Sequence, residues 1–272
     1  MAGFNVADIK KLREATGAGM VDCKNALVEA DGDYDKAVEQ LRIKGLKGVA
    51  KREGRAASNG LVVAQLDGTT KGTLLELNCE TDFVAKSDPF QALAGKVVTA
   101  AVGANDPAEI TVDGKALQDV LNDANATLGE KIEVRRVTSF EGPFISVYLH
   151  KTSPDLPPQL GVLVELSAEN AAVAKDVAQH IAALPPQFVT RDEVSAEAVA
   201  KEREIARATA IEEGKPEAAL DKIVEGRVTG FFKENVLVEQ SFAKDSKKTV
   251  GKVLEEAGVT VTRFARFKVG QA

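Results

Sequence analysis

Apolar positions recur along this chain in two periods, a helical one alone over the first forty-odd residues and helical and strand-like ones in alternation beyond them. In the first forty-odd residues Ile9 and Leu12 repeat at helical spacing behind an Asn5/Asp8 cap pair, and Thr16-Gly17-Ala18-Gly19 ends the segment. Residues 20–30 carry Val21, Leu27 and Ala30, and Asp31-Gly32-Asp33 turns the chain. Residues 34–44 repeat Ala37, Val38 and Leu41 before Gly45. Three short amphipathic helices share only a small core, so the pattern predicts a compact docking module over 1–45. From Leu61 the period shortens to two: 61–66, an Asp67-Gly68 turn and 72–77 predict a β-hairpin. Asp88-Pro89 opens a helix with Phe90, Leu93, Val97 and Ala101 on one stripe. A second helix at 116–128 shows Leu117, Val120, Leu121 and Leu128, and strands follow at 132–140 and 144–149.

Residues 153–158, Ser-Pro-Asp-Leu-Pro-Pro, interrupt regular structure and are the best internal boundary. Beyond them lie a strand at 161–166, a helix at 170–184 and a late strand at 259–269. The Ala-, Glu-, Lys- and Arg-rich stretch 192–232 breaks at Glu213-Gly214-Lys215-Pro216 and reads as two antiparallel helices. Val199, Ile205, Ala206 and Ile211 would face Leu220, Ile223, Val224 and Phe231 along a narrow seam. One self-similarity organises the rest. Residues 72–86 and 161–175 are identical at eight of fifteen positions, and the Gly129-to-strand and Gly258-to-strand junctions agree more weakly, which argues for a duplicated core. The expected architecture is α+β, with an N-terminal three-helix domain (1–45) and a basic linker (46–58). Core half one (59–152) and core half two (153–191 with 233–272) carry antiparallel sheets, and a helical hairpin (192–232) is inserted in the second.

Charge and composition narrow the function. With 35 Lys+Arg against 41 Asp+Glu the 272-residue chain carries a net −6, so no general basic surface for nucleic acid is available. Lys44, Lys47, Lys51, Arg52 and Arg55 are locally basic, but without aromatic residues for base stacking they read as a solvated tether rather than an RNA contact. No apolar run approaches a membrane span and the N-terminus lacks a signal pattern, so the expected location is cytoplasmic. Two cysteines, Cys23 and Cys79, and two histidines, His150 and His180, offer no disulfide framework or metal-ligand spacing. No cofactor is expected, because no phosphate loop, nucleophile elbow or paired-carboxylate signature occurs.

The informative contrast lies between the two copies: Thr81-Asp82-Phe83 in the first stands where the second has Asn170-Ala171-Ala172. Phe83 has two readings, an exposed anchor for a pocket on a partner or a core residue starting the next helix. Cys79 corresponds to Ala168 in the repeat, as a small buried packing position would allow, and nothing places either histidine beside it. Cys23 falls within an apolar helix face, and His180 on an apolar stripe reads as structural. A binding adaptor built on the N-terminal helices and a small enzyme using Cys79 are the competing readings. The first leaves the Asp82-Phe83 difference unexplained and the second requires loss of function in Cys79→Ala.

Residues 12–27 (LREATGAGMVDCKNAL) and 80–86 (ETDFVAK) are similar to the two signatures of the bacterial elongation factor Ts family. Val224-Glu225-Gly226-Arg227, Lys248-Thr249-Val250-Gly251 and Arg266-Phe267-Lys268-Val269-Gly270 extend the likeness over nearly the whole chain. The resemblance implies a ubiquitin-associated (UBA-like) N-terminal domain, a duplicated α+β core and a coiled-coil hairpin. It implies a guanine-nucleotide exchange factor for elongation factor Tu, without covalent chemistry or direct nucleic-acid contact, and leaves open a 2:2 assembly. Thr81, Asp82, Phe83 and Val84 would enter the GTPase near its magnesium and phosphate site, the ring wedging between side chains to dislodge the metal. The 12–27 segment, with Arg13, Met20 and Val21, would meet the G domain, and His150, Leu128 and Gly129 would join the same interface.

Overall fold

The computed structural model describes residues 3–16 and 18–271; the side chains of 46, 47, 49, 50 and 51 lie outside that description. So does Gly17, one of the glycines expected to end the first helix. Three helices come first: α1 (Val6–Thr16), α2 (Met20–Glu29) and α3 (Tyr34–Arg52). Asn5 and Asp8 form the expected reciprocal cap. The Asn5 carboxamide oxygen accepts from the Ala7 and Asp8 amides, and Asp8 accepts from the Asn5 amide at 2.8 Å. Leu12, Cys23, Leu27 and Ala37 are fully buried where the three helices meet.

The third helix corrects the expectation of a linker after residue 45. It runs on to Arg52, because Gly45 is a contact residue rather than a stop: a Cβ there would sit 2.6 Å from the Ala126 methyl. The glycine lets α3 press against α6 (Leu117–Leu128) of the following domain. Arg52 donates to the Asn125 carbonyl at 3.0 Å and Arg55 pairs with Glu80 at 3.2 Å. Two members of the basic run therefore make contacts with the core.

The core is a stack of four layers. Strands β1 (Asn59–Asp67), β2 (Lys71–Cys79) and β5 (Glu133–Glu141) form one antiparallel sheet in the order β1-β2-β5. Strands β6 (Phe144–His150), β7 (Leu160–Leu166) and β10 (Val261–Lys268) form another in the order β10-β7-β6. The two sheets meet face to face through Val62, Leu74, Phe140, Ile145, Leu163 and Phe267. The outer face of the first carries α5 (Asp88–Ala100) and α6, that of the second α7 (Ala171–Ala183) and α10 (Val250–Glu256). Small hairpins, β3 (Thr111–Val112) with β4 (Lys115–Ala116) and β8 (Ser241–Phe242) with β9 (Asp245–Thr249), occupy matching places before α6 and α10.

Element order and contacts repeat together. The self-similar segments supply the central strand of each sheet, and their matching glycines mark where the sheets approach closest. A Cβ at Gly72 would meet Ile145 at 2.7 Å, and one at Gly161 would meet Val62 at 2.6 Å. Each central strand buries a glutamate. Glu76 accepts from Arg136 Nε at 2.7 Å and Glu165 from Arg263 Nε at 2.5 Å. Arg136 then lies 4.5 Å over the Phe267 ring and donates to the Lys268 carbonyl; Arg263 lies 4.3 Å over Phe140 and donates to the Glu141 carbonyl. Each arginine thus neutralises its own sheet's carboxylate and stacks on the other sheet's aromatic.

The proline-rich 153–158 segment is not where the chain changes sheets. Phe144–His150 already pairs with Leu160–Leu166, so the crossing comes at 142–143 and the prolines sit in the loop joining two neighbouring strands. That loop is tied down by the Val62 amide donating to the Pro158 carbonyl.

The hairpin, α8 (Ala196–Glu212) and α9 (Glu217–Asn235), is inserted between α7 and the second small hairpin. Its seam differs in phase from the expected one. Ala206 and Ala210 are buried against Leu220, Val224, Val228 and Phe232, a ridge of four-residue steps, while Ile205 and Ile211 are exposed. Small residues on one helix facing large ones on the other bring the axes close, and apolar character alone cannot reveal that choice. Beside the hairpin's return, buried His180 accepts from the Ala243 amide at Nδ1 (3.1 Å) and shares a 2.8 Å bond between Nε2 and Gln240 Oε1. Because Nδ1 is an acceptor, the ring proton is on Nε2 and the imidazole is neutral; burial holds its pKa below the ordinary value.

Candidate partner-binding site

At the end of β2 the chain leaves the sheet and turns into a short helix, α4 (Asp82–Lys86), which the sequence pattern does not reveal as a separate element. Ser87 ends it in an extended conformation and, with Pro89 in the next turn, starts α5 afresh. The second copy has no such break, since α7 runs thirteen residues from the Asn170 cap. Five residues of helix present two faces. Ala85 is fully buried and Val84 packs against the core beneath α5 and α6. Phe83 points the other way and is 82% exposed, the most exposed large apolar side chain among the described residues. Of its two readings, the external one is the structure's.

The turn beneath this ring is densely bonded. Thr81 caps α4, its hydroxyl oxygen accepting from the Val84 amide at 3.4 Å. The same hydroxyl donates to Glu130 Oε1 at 2.6 Å, while Glu130 Oε2 accepts from the Glu80 and Thr81 amides at 3.1 and 3.0 Å. Glu80 returns the contact by accepting from the Lys131 amide at 2.7 Å. That hydrogen bond, followed by the Arg55 guanidinium, holds the Glu80 carboxyl below its usual range. Asp82 bonds Lys86 at 2.8 Å along the outer edge of α4, and the ammonium lowers its carboxyl as well.

Leu128 and Gly129 lie at the foot of the same turn. Leu128 is half-buried against the core, and Gly129 is exposed in the left-handed region (φ 77°), where its amide caps α6 on the Asn125 carbonyl. Thr81 to Val84 and Leu128 to Gly129 are therefore brought together through Glu130, which the sequence reading did not single out. The carboxylate has no motif of its own and becomes visible only when β2 and the α6 turn are adjacent. His150 is exposed at the end of β6 and bonds the Tyr148 hydroxyl at 3.0 Å. Gly72 at the start of β2 packs on Ile145 at the start of β6, and Leu74 further along β2 meets Gly161, the partner of Leu149 near the end of β6, so Cys79 and His150 lie toward one end of the stack. On the three-helix unit Arg13 and Met20 line a cleft of about 630 Å³ with Lys10 and Glu14, and Val21 beside them is exposed.

Cys79 is fully buried and donates to the Thr81 carbonyl at 3.1 Å; burial, then the Glu130 charge, pushes its pKa up to about 12. A thiol so protonated is a poor nucleophile. Its repeat partner Ala168 is exposed rather than buried as expected, because the copies diverge as soon as each strand ends. Among the described residues no group of three or more His, Cys, Asp or Glu is placed to hold a metal, and no helix is long and apolar enough to cross a membrane.

Fold and turn together define a class: a duplicated α+β scaffold that carries a solvent-exposed phenylalanine on a densely hydrogen-bonded turn. Residues 80–271 match the family model described as Elongation factor TS. The chain is 61% identical to elongation factor Ts of Acidothermus cellulolyticus and 56% identical to that of Thermobifida fusca, with all of both chains covered in each case. It is 58% identical to that of Streptomyces griseus over 99% of this chain and all of the relative. The chain belongs to the elongation factor Ts family and so to the elongation factors of protein biosynthesis.

Proposed function

We propose that this chain is the guanine-nucleotide exchange factor for elongation factor Tu, acting in the cytoplasm by contact alone. The single observation that carries the reading is Phe83, four-fifths exposed on a short helix that Val84 and Ala85 anchor to the core. An apolar ring kept in water represents interface energy not yet used. A nanomolar nucleotide complex is worth about −12 kcal/mol, so unassisted release is slow. In the proposed mechanism Thr81 to Val84 enters the magnesium and phosphate region and the Phe83 ring displaces side chains that support the metal. Without the cation the diphosphate charge is uncompensated and the nucleotide leaves. Arg13, Met20 and Val21 on a UBA-like three-helix domain, with Leu128, Gly129 and His150, supply docking energy to the nucleotide-free GTPase. The coupling is reciprocal, so incoming nucleotide expels the factor.

The hairpin is a coiled coil projecting from the core, and a 2:2 assembly is open to sedimentation measurement. The testing experiment preloads elongation factor Tu with fluorescent GDP, chases with unlabelled GDP and follows release with and without the chain. Release that does not accelerate in saturating chain overturns the proposal.

A further inference from the structure

We infer that Glu130 is a positioning residue for exchange, a clamp that sets the Phe83 turn before any partner arrives; this rests on the proposed exchange function. One carboxylate holds three donors of the turn, the Glu80 and Thr81 amides and the Thr81 hydroxyl, at 2.6 to 3.1 Å. Charged acceptors make the stronger class of hydrogen bond, and two of these three hold Thr81, the cap residue of α4. The clamp has a fixed base. Gly129 caps α6 on Asn125, and the buried Asn125 side chain accepts from the Ile132 amide at 2.6 Å, so residues 129–132 are tied at both ends. Glu80 bonds back to the Lys131 amide, which makes the contact two-way.

The second copy is an internal control. Val134 pairs with Leu77 as Val261 pairs with Leu166, so buried Val259 stands where buried Ile132 does, and the second copy's turn, two residues shorter after Gly258 than the first's after Gly129, has no residue at the place of Glu130. At its strand end the Ser167 amide donates to the Thr260 carbonyl and the Thr260 amide to the Ser167 hydroxyl. The copy without a displayed aromatic therefore lacks the carboxylate. A structural role common to both copies would put an acid in both; an acid only beneath Phe83 ties it to the ring. Holding the turn in place beforehand lowers the ordering cost at the step where the ring is inserted.

The experiment compares wild type with Glu130→Ala and Glu130→Gln, by hydrogen exchange on the free chain and by the concentration dependence of stimulated GDP release. In Glu130→Ala the amides of Glu80 and Thr81 exchange at least roughly tenfold faster, while amides of β7 and α7 are unchanged. The maximal stimulated release rate falls roughly tenfold, and the half-saturating concentration moves less than about threefold because the docking helices are untouched. Glu130→Gln keeps one acceptor oxygen in place and recovers an intermediate maximal rate. Unchanged exchange at Glu80 and Thr81 overturns the clamp, and faster exchange with an undiminished maximal rate overturns its part in nucleotide release. A wild-type chain that fails to stimulate release overturns the exchange function instead, while the amide protection still reports on the clamp.

Discussion

Replacing Phe83 by alanine separates interface energy from fold energy more cleanly than any other single change. The side chain is 82% exposed, so its removal takes almost nothing from the core, and the stability change stays within about 0.5 kcal/mol. For a chain of this size that is a shift in melting temperature of about 2 °C or less. On docking, the ring has most of its surface still to bury. Full burial of a Phe side chain is worth about 1.5–3 kcal/mol, of which roughly four-fifths is withheld until the partner covers it, so the loss is about 2 kcal/mol. That converts to roughly thirtyfold in stimulated nucleotide release at fixed concentration of chain. Stopped-flow release of fluorescent GDP from elongation factor Tu measures it, with Phe83→Leu as a partner variant that restores apolar area without the ring. A variant that stimulates as well as wild type would refute the wedge, and a melting point lowered by many degrees would show that the ring contributes to its own core.

Further outcomes follow from the rest of the molecule. Arg136→Ala leaves the fully buried Glu76 carboxylate with the Gly270 amide alone and should cost about 3–5 kcal/mol in denaturant titration. Arg263→Ala should cost visibly less, because Arg263 is about half exposed and water can reach the vacated place; equal losses would contradict that ranking. Burial keeps His180 neutral in the fold while the unfolded chain takes up a proton near pH 6.5. Its share of the stability is therefore complete above that pH and declines as pH falls below it, by up to about 1.4 kcal/mol per unit. Denaturant titrations from pH 7.5 to 5 should show this slope in wild type and lose it in His180→Gln; identical slopes would refute the assignment. Cys79, raised to about 12, should resist alkylation in the native chain at pH 8, and Cys79→Ser should retain most exchange activity. A folded but inactive serine variant would restore the enzyme reading.

Much of this architecture was legible as periodicity. The switch from helical spacing to alternation at Leu61, the Asp67-Gly68 turn and the eight-in-fifteen repeat are local signals, and each corresponds to an observed element. What escaped depends on neighbours distant in sequence. Gly45 ends helices in isolation, yet here it is a flat spot pressed on Ala126, so α3 continues to Arg52. Ile205 and Ile211 look like seam residues by hydropathy, but two alanines allow closer helix approach and take the inner face. Strand 144–150 reads as the end of the first half because it precedes the prolines, whereas hydrogen bonding assigns it to the second sheet. At the candidate site the contrast between copies pointed to Phe83 without deciding which way it faced. Glu130 carried no signal at all, since an acid after a glycine acquires its role only from the strand end beside it.

The crossed arginines of the core have an implication for ancestry. Contacts in which position i of one half touches j of the other, and j of the first touches i of the second, are the isologous pattern of a two-fold homodimer. The chain is laid out as such a dimer with its subunits joined end to end. Away from that shared face the twins differ: the first bears the exposed ring of Phe83, and the second carries the α8–α9 arm.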